Sequence, residues 1–385
     1  MSGFSFNTTP ALVSGPGSIA RLAEIAGHRL GKRVLIVTDA GIRKAGLLAR
    51  AQTVLEQAGV AVAVFDGVAA DPPEQNVHDG LAMAKQHRAT GILGLGGGSP
   101  MDVAKLVALV AGGGETLGDI YGVGLAKGPR LPLVLAPTTA GTGSEVTPIA
   151  IITTGAAEKK GVVSPVLLPD VALLDAELTF GLPPAVTAAT GIDAMVHAIE
   201  AFTSASPNRN PVSCALARAA LRLLGANIRR AVEHGSDPQA RGAMLLGSLL
   251  AGQAFANSPV AAVHALAYPL GGHYHIPHGL SNALVLPHVL RFNLIAAEAR
   301  YAELAIDVFP HLADTLQGER ASAFIEALAA LSRTLKVPQR LRDMKIAEDA
   351  LPMLASDAMK QTRLLVNNPR PLSEADALAI YKAAW

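Results

Sequence analysis

Residues 91–105 read GILGLGGGSPMDVAK, and the fold of the first half of the chain turns on them. An apolar run ends in three glycines, and Ser99 and Pro100 then open a helical pattern. Glycines let backbone approach a phosphate closely, and the helix that follows presents unpaired N–H groups and a positive dipole end. The spacing departs from the usual G-x-G-x-x-G, and the loop follows the third or fourth strand instead of the first. A tight strand-to-helix turn also needs small residues, so this loop alone does not decide between a turn and a ligand site.

Outward from it, RVLIVTD (33–39), VAVAVFD (60–66), LPLVLAPTT (131–139), PIAIIT (148–153) and VALLD (171–175) are strand candidates. Amphipathic stretches such as 46–58 and 76–87 lie between the early ones. Near-continuous apolar strands joined by helical crossovers predict a doubly wound, mostly parallel sheet covered on both faces. After Gly181 the strand signals fade, and Ala/Leu-rich segments at helical spacing cover 184–204, 211–234, 238–256, 259–271, 295–314, 320–335, 346–358 and 373–384. Ser373 with Asp376 has the form of a helix-starting cap. The expectation is an α/β domain over 1–180 and an all-α domain over 181–385, sharing an extensive interface.

A second loop, PTTAGTGSEVT (137–147), also follows an apolar strand. Its hydroxyls and exposed N–H groups suit a phosphate or a carboxamide, whereas a plain capped loop needs only one or two of them. Two such loops at strand C-termini match where open α/β sheets bind ligands. Asp39 ends the first strand and is placed to accept from an adenosine ribose hydroxyl, which favours NAD over NADP. An ordinary turn or cap Asp fits that position as well.

Five of the eleven histidines fall between His264 and His288. Asp193 and His197 are four apart in a helical pattern and share one face. His264 lies in an apolar helix, and His278 in a Pro-His-Gly turn. Buried imidazoles without polar partners are costly, and one carboxylate oxygen with three imidazoles suits Fe²⁺ or Zn²⁺. Segments 181–207 and 252–290 carry no Lys or Arg, which points away from an anionic substrate.

Composition excludes other classes. Half the residues are hydrophobic and 16% charged, so the chain can fill a large core. A net charge of +1 gives no electrostatic case for nucleic acid or an anionic membrane. No apolar run reaches about 18 residues without interruption by charge, Pro or Gly, so no membrane-spanning helix is expected. MSGFSFNTTP has neither the basic flank nor the apolar core of a signal peptide. The single cysteine, Cys214, favours a reducing, cytoplasmic setting.

Together these segments resemble the iron-dependent (group III) alcohol dehydrogenases, a family that includes lactaldehyde reductase (propanediol oxidoreductase). The resemblance spans the chain: GGGSPMDVAK (96–105), PTTAGTGSEVT (137–147), LPPAVTAATGIDAMVHAIEAF (182–202), HALAYPLGGHYHIPHGLSNALVLPHVLRFN (264–293) and NPRPLS (368–373). It implies a dinucleotide-binding α/β domain, a helical metal domain and an active site in the cleft between them. It also implies metal ligands at Asp193, His197, His264 and His278. The cofactor contacts it implies are Asp39, Gly97, Gly98, Ser99, Asp102, Thr138, Thr139, Thr142 and Lys160.

Many relatives carry a further His where this chain has Tyr268, so Tyr268 or His273 is expected to relay the proton. The resemblance implies NAD(P)-dependent interconversion of a small alcohol and its aldehyde or ketone, with Fe²⁺ or Zn²⁺ and NAD or NADP, in a homodimer or larger homo-oligomer. The alternatives are a hydroxyacid–oxoacid transhydrogenase, a maleylacetate reductase, a lyase of the dehydroquinate-synthase type, and a cofactor-free binding protein. The intact ligand set argues against the second, and the lack of basic residues against the lyase.

Overall fold

The computed structural model describes residues 3–155 and 158–385. They form two compact units, one of Asn7–Gly181 and one of Leu182–Trp385 joined by residues 3–6. The N-terminal residues belong with the helical unit because Asn208 holds them. Its Oδ1 accepts from the Ser5 N–H (2.9 Å), and its Nδ2 donates to the Ser5 carbonyl (3.0 Å).

The first unit contains strands β1 (Ala11–Ser14), β2 (Arg33–Val37), β3 (Ala61–Phe65), β4 (Gly91–Gly96), β5 (Gly122–Val123), β6 (Leu133–Pro137), β7 (Ile149–Thr154), β8 (Glu158–Val163) and β9 (Val171–Leu174). Helices α1 (Leu22–Leu30), α2 (Ala40–Lys44), α3 (Leu47–Gln57), α4 (Glu74–His87), α5 (Gly98–Gly113) and α6 (Leu117–Ile120) accompany them. Six strands make a wholly parallel sheet ordered β1-β9-β6-β4-β2-β3. Side chains alternate across its pleat. Leu35, Val37, Ile92, Leu133 and Leu135 pack with Val103, Leu106 and Val107 of α5 on one face. Val34, Ile36, Leu93, Val134, Val171 and Leu173 pack with Leu22, Ala26, Leu30 and Leu55 on the other. Both faces are covered, which is why the strands read as continuous apolar runs.

β3 and β4 lie on opposite sides of β2, so the strand order reverses there. That switch point is where open α/β sheets bind ligands. The predicted strand at 148–153 forms as β7 but pairs antiparallel with β8, in a separate three-stranded sheet with β5.

The second unit is helical: α7 (Pro184–Thr203), α8 (Pro211–Glu233), α9 (Pro238–Asn257), α10 (Ala262–Tyr274), α11 (His278–Val308), α12 (Gln317–Thr334), α13 (Leu351–Met359), α14 (Thr362–Leu365) and α15 (Glu374–Ala384). α7 is buried on all sides from Gly191 to Thr203, with α8, α9 and α11 packed around it. Ser373 and Asp376 form a capping box at the start of α15, as their spacing predicts.

Two expectations are corrected. His278 is the first residue of α11, not part of a turn, and that helix begins well before the predicted 295. Pro287 sits inside it. An interior proline costs about 3 kcal/mol, which burial of Leu284, Val285, Leu286, Val289 and Leu290 on the same stretch offsets. α11 is also, by length and composition, the one helix among the described residues long and apolar enough to cross a membrane. It packs against α7, α8, α10 and α12 within its own unit.

Candidate functional site

In the first unit, the loops after β2, β4 and β6 meet at the switch point. Gly97 is the N-cap of α5 and Gly98 its first residue, and no side chain caps that end. The Thr138 N–H donates to the Gly96 carbonyl at 2.9 Å, joining the second loop to the first. A Cβ on Gly98 would lie 2.9 Å from Thr142 Cγ2, and one on Gly97 3.5 Å from Thr139 Oγ1. The approach at Gly98 is closer than a side chain allows, whereas a Cβ on Gly97 would make an ordinary contact; together the loops form a cradle of backbone N–H groups and hydroxyls. Ser99 stands in the first turn of α5. Asp39 caps α2, its Oδ1 accepting from the Ile42 N–H at 3.0 Å. Its other oxygen lies 3.5 Å from where a Gly96 Cβ would stand, so this cap residue borders the glycine loop.

Asp102 accepts from Ser144 Oγ at 2.6 Å and from the Ile151 N–H at 2.9 Å. One oxygen therefore braces α5 against the second loop and the other against β7. Beneath it Lys105, fully buried, donates to Ser144 Oγ (2.8 Å), Thr147 Oγ1 (3.3 Å) and the Ile149 carbonyl (2.7 Å). Burial lowers the Lys105 pKa to about 8, against the pull of Asp102 and Glu145. Burial raises the neighbouring Glu145 to about 7, and its Oε1 has no partner. Lys160 lies apart in β8, its ammonium 5.6 Å from the Tyr121 ring centroid.

In the helical unit the predicted ligands converge. Donor atoms of Asp193, His197, His264 and His278 all lie within 4.8 Å of one another. α7 supplies Asp193 and His197 one turn apart, α10 supplies His264, and α11 opens on His278. Gly279 allows this: a Cβ there would lie 2.5 Å from the Ala189 carbonyl oxygen, so the start of α11 rests on α7 backbone. The His197 ring stacks on Phe255 (centroids 4.3 Å) and on His264 (4.7 Å).

Burial raises the Asp193 pKa, but the three imidazoles and the Asn282 amide outweigh it and hold the group below the usual carboxylate range. Asn282 Nδ2 donates to Asp193 Oδ1 at 2.6 Å and lies 3.3 Å from Nε2 of both His264 and His278. Asn282 Oδ1 is buried without a partner. A carboxylate and imidazole nitrogens converging in a buried site, with an orphaned amide oxygen beside them, fit a divalent cation.

Of the two relay candidates, Tyr268 stands by this cluster, its ring centroid 5.9 Å from that of His278. His273 turns to α13, where its Nε2 meets Asp357 at 2.5 Å. The sequence reading passed over Glu200, Phe255 and Asn282. Spacing carried a signal for two of them: Glu200 is seven residues beyond Asp193 and Asn282 four beyond His278, both helical repeats.

The profile described as iron-containing alcohol dehydrogenase matches residues 9–176. That of the Fe-containing alcohol dehydrogenase family, C-terminal, matches 187–385. The chain belongs to the iron-containing alcohol dehydrogenase family and is an oxidoreductase interconverting alcohols and aldehydes, a family membership that carries use of a metal and NAD(H). It is 42% identical to long-chain-alcohol dehydrogenase 1 of Geobacillus thermodenitrificans over 93% of this chain and 91% of that one. The crystal structure of a 1,3-propanediol oxidoreductase superposes with a TM-score of 0.96 at 39% identity, covering both chains fully. Sulfoacetaldehyde reductase from Bifidobacterium kashiwanohense, solved with NAD⁺, gives 0.88 at 28% identity over 100% of this chain and 99% of that one. These relatives do not favour the transhydrogenase, maleylacetate reductase, lyase or binding-protein readings.

Proposed function

We propose that the protein is an NAD- and Fe²⁺-dependent dehydrogenase of small, uncharged alcohols, with Zn²⁺ and NADP as the alternative metal and cofactor. The observation that carries this reading is the four-donor cluster on α7, α10 and α11. Asp193, His197, His264 and His278 hold the ion. When bound, a divalent ion supplies Lewis acidity to an alcohol or carbonyl oxygen, and nicotinamide supplies the hydride chemistry.

Residues 7–181 bind the dinucleotide. Gly97, Gly98 and Ser99 present the α5 N-terminus to its phosphates, and Thr138, Thr139 and Thr142 add hydroxyls. Asp102 acts by holding the second loop against α5. Asp39 accepts from a ribose hydroxyl, and its negative charge disfavours a 2′-phosphate. Lys160 is the outlying cofactor contact. Tyr268 moves the proton, a role supported by its place beside His278; His273, engaged by Asp357, is the weaker candidate. The absence of Lys and Arg from 181–207 and 252–290 supports an uncharged substrate. We further propose a cytoplasmic homodimer or larger assembly, with the lone Cys214 supporting a reducing compartment.

The test is reduced-nicotinamide absorbance with a panel of alcohols, aldehydes and 2-hydroxyacids, using NAD and NADP after loading with Fe²⁺ or Zn²⁺. Turnover of short alcohols with NAD is expected. No turnover with any alcohol or aldehyde under either metal would sink the reading.

A further inference from the structure

Glu200 lies in α7, three residues past His197 and 4% exposed. Its Oε2 is 2.6 Å from His264 Nδ1, and its Oε1 accepts from the Val263 N–H at 2.7 Å. Val263 is in the first turn of α10, which no side chain of its own N-cap satisfies. One carboxylate therefore meets both the imidazole and an otherwise orphaned helix-start donor. With the Glu200 oxygen as acceptor in this pair, as it is for the Val263 N–H, His264 Nδ1 is the donor and carries the hydrogen. The Nε2 lone pair is then left facing Asp193 Oδ1 at 4.0 Å and Asn282 Nδ2 at 3.3 Å.

We propose that Glu200 is the positioning residue of the metal centre: it fixes the tautomer and orientation of His264 and so sets the strength with which the cluster holds its ion. The proposal rests on the metal reading given above. α7 thus carries two ligands and the support of a third, at positions 193, 197 and 200 of one helical face. A carboxylate partner also makes the imidazole a stronger donor.

Glu200→Gln isolates this role. The amide has one acceptor and one donor end. If its oxygen serves the Val263 N–H, its NH₂ faces Nδ1 and drives the hydrogen onto Nε2, where it blocks the donor. If the amide is reversed, the NH₂ opposes the Val263 N–H. Neither arrangement replaces the carboxylate.

The experiment is titration of the full-length protein with Co²⁺, following visible absorbance and competition with a chromophoric chelator, alongside NADH binding by fluorescence. E200Q is expected to lose about 10–100-fold in Co²⁺ affinity, with an altered Co²⁺ spectrum and unchanged NADH binding. E200D, which keeps an acceptor-only group, should recover part of the loss. Wild-type affinity and spectrum in E200Q would overturn the role of Glu200 while leaving the metal reading intact. Failure of the wild-type protein itself to bind Co²⁺ would overturn that reading and this proposal with it. Should E200Q not melt cooperatively, ¹⁵N correlation of the wild-type imidazoles decides: His264 protonated at Nδ1 is expected, and protonation at Nε2 overturns the proposal.

Discussion

Glu145 and Lys105 are buried titratable groups whose burial acts in opposite directions. Glu145 rises from its ordinary 4.5 to about 7 because burial disfavours its charge. A carboxyl that stays protonated in the fold while it ionises in the unfolded chain stabilises the fold at low pH. That contribution is complete below about 4.5 and is lost as pH rises through about 7. Lys105 falls from 10.5 to about 8, so its penalty is present below 8 and fades towards 10.5. Between pH 5 and 7 Lys105 contributes no slope, whereas His288, lowered by burial from 6.5 to about 4, acts the other way and adds stability as pH rises to about 6.5. Both proteins share the His288 slope, so the melting temperature of Glu145→Gln should gain several degrees on that of the wild type between pH 5 and 7. Parallel pH dependence in the two proteins would contradict the assignment. None of this was legible in the sequence, where SEVT reads as one more polar loop; burial of the loop against α5 creates the shift. Asp39 was half legible. The sequence left cap and ligand both open, and the structure has it capping α2 while bordering the glycine loop.

At the scale of elements, the start of α11 matters most. Gly279 meets the Ala189 carbonyl of α7 so closely that a methyl group would push the helices apart. Overpacking of this kind typically costs about 1–3 kcal/mol. Gly279→Ala should lower the melting temperature and weaken Co²⁺ binding together, because His278 precedes it by one residue. Unchanged Co²⁺ affinity in a folded variant would separate the helix contact from the site.

The elements that escaped the sequence did so for physical reasons. β1 is a four-residue edge strand with only alternate side chains buried, too short for its period to stand out. β8 reads EKKGVV, charged and interrupted by glycine. It forms because six residue pairs match it to β7. α11 starts before the expected 295 because Pro277 precedes its first turn and packing carries the helix through Pro287.

At the scale of the molecule, all four donors belong to the helical unit and the glycine and threonine loops to the other. Metal and dinucleotide should therefore stabilise the protein through separate groups. Each, at 100 times its Kd, adds about 2.7 kcal/mol. Calorimetry should give a rise in melting temperature with Co²⁺ and another with NADH. His264→Ala should abolish the first and leave the second. A metal-dependent rise that persists in His264→Ala would place the ion elsewhere.

By itself the sequence determined the α/β and helical halves, because sheet and helix impose different periods on apolar residues. It also picked out Asp193, His197, His264 and His278, partly through spacing and partly through a family pattern spread over the chain. Only the tertiary structure decided which histidine is held by which carboxylate. Glu200 reaches His264 across 64 positions and Asp357 reaches His273 across 84. Contacts of that separation leave no period in a sequence, since they exist only once helices pack.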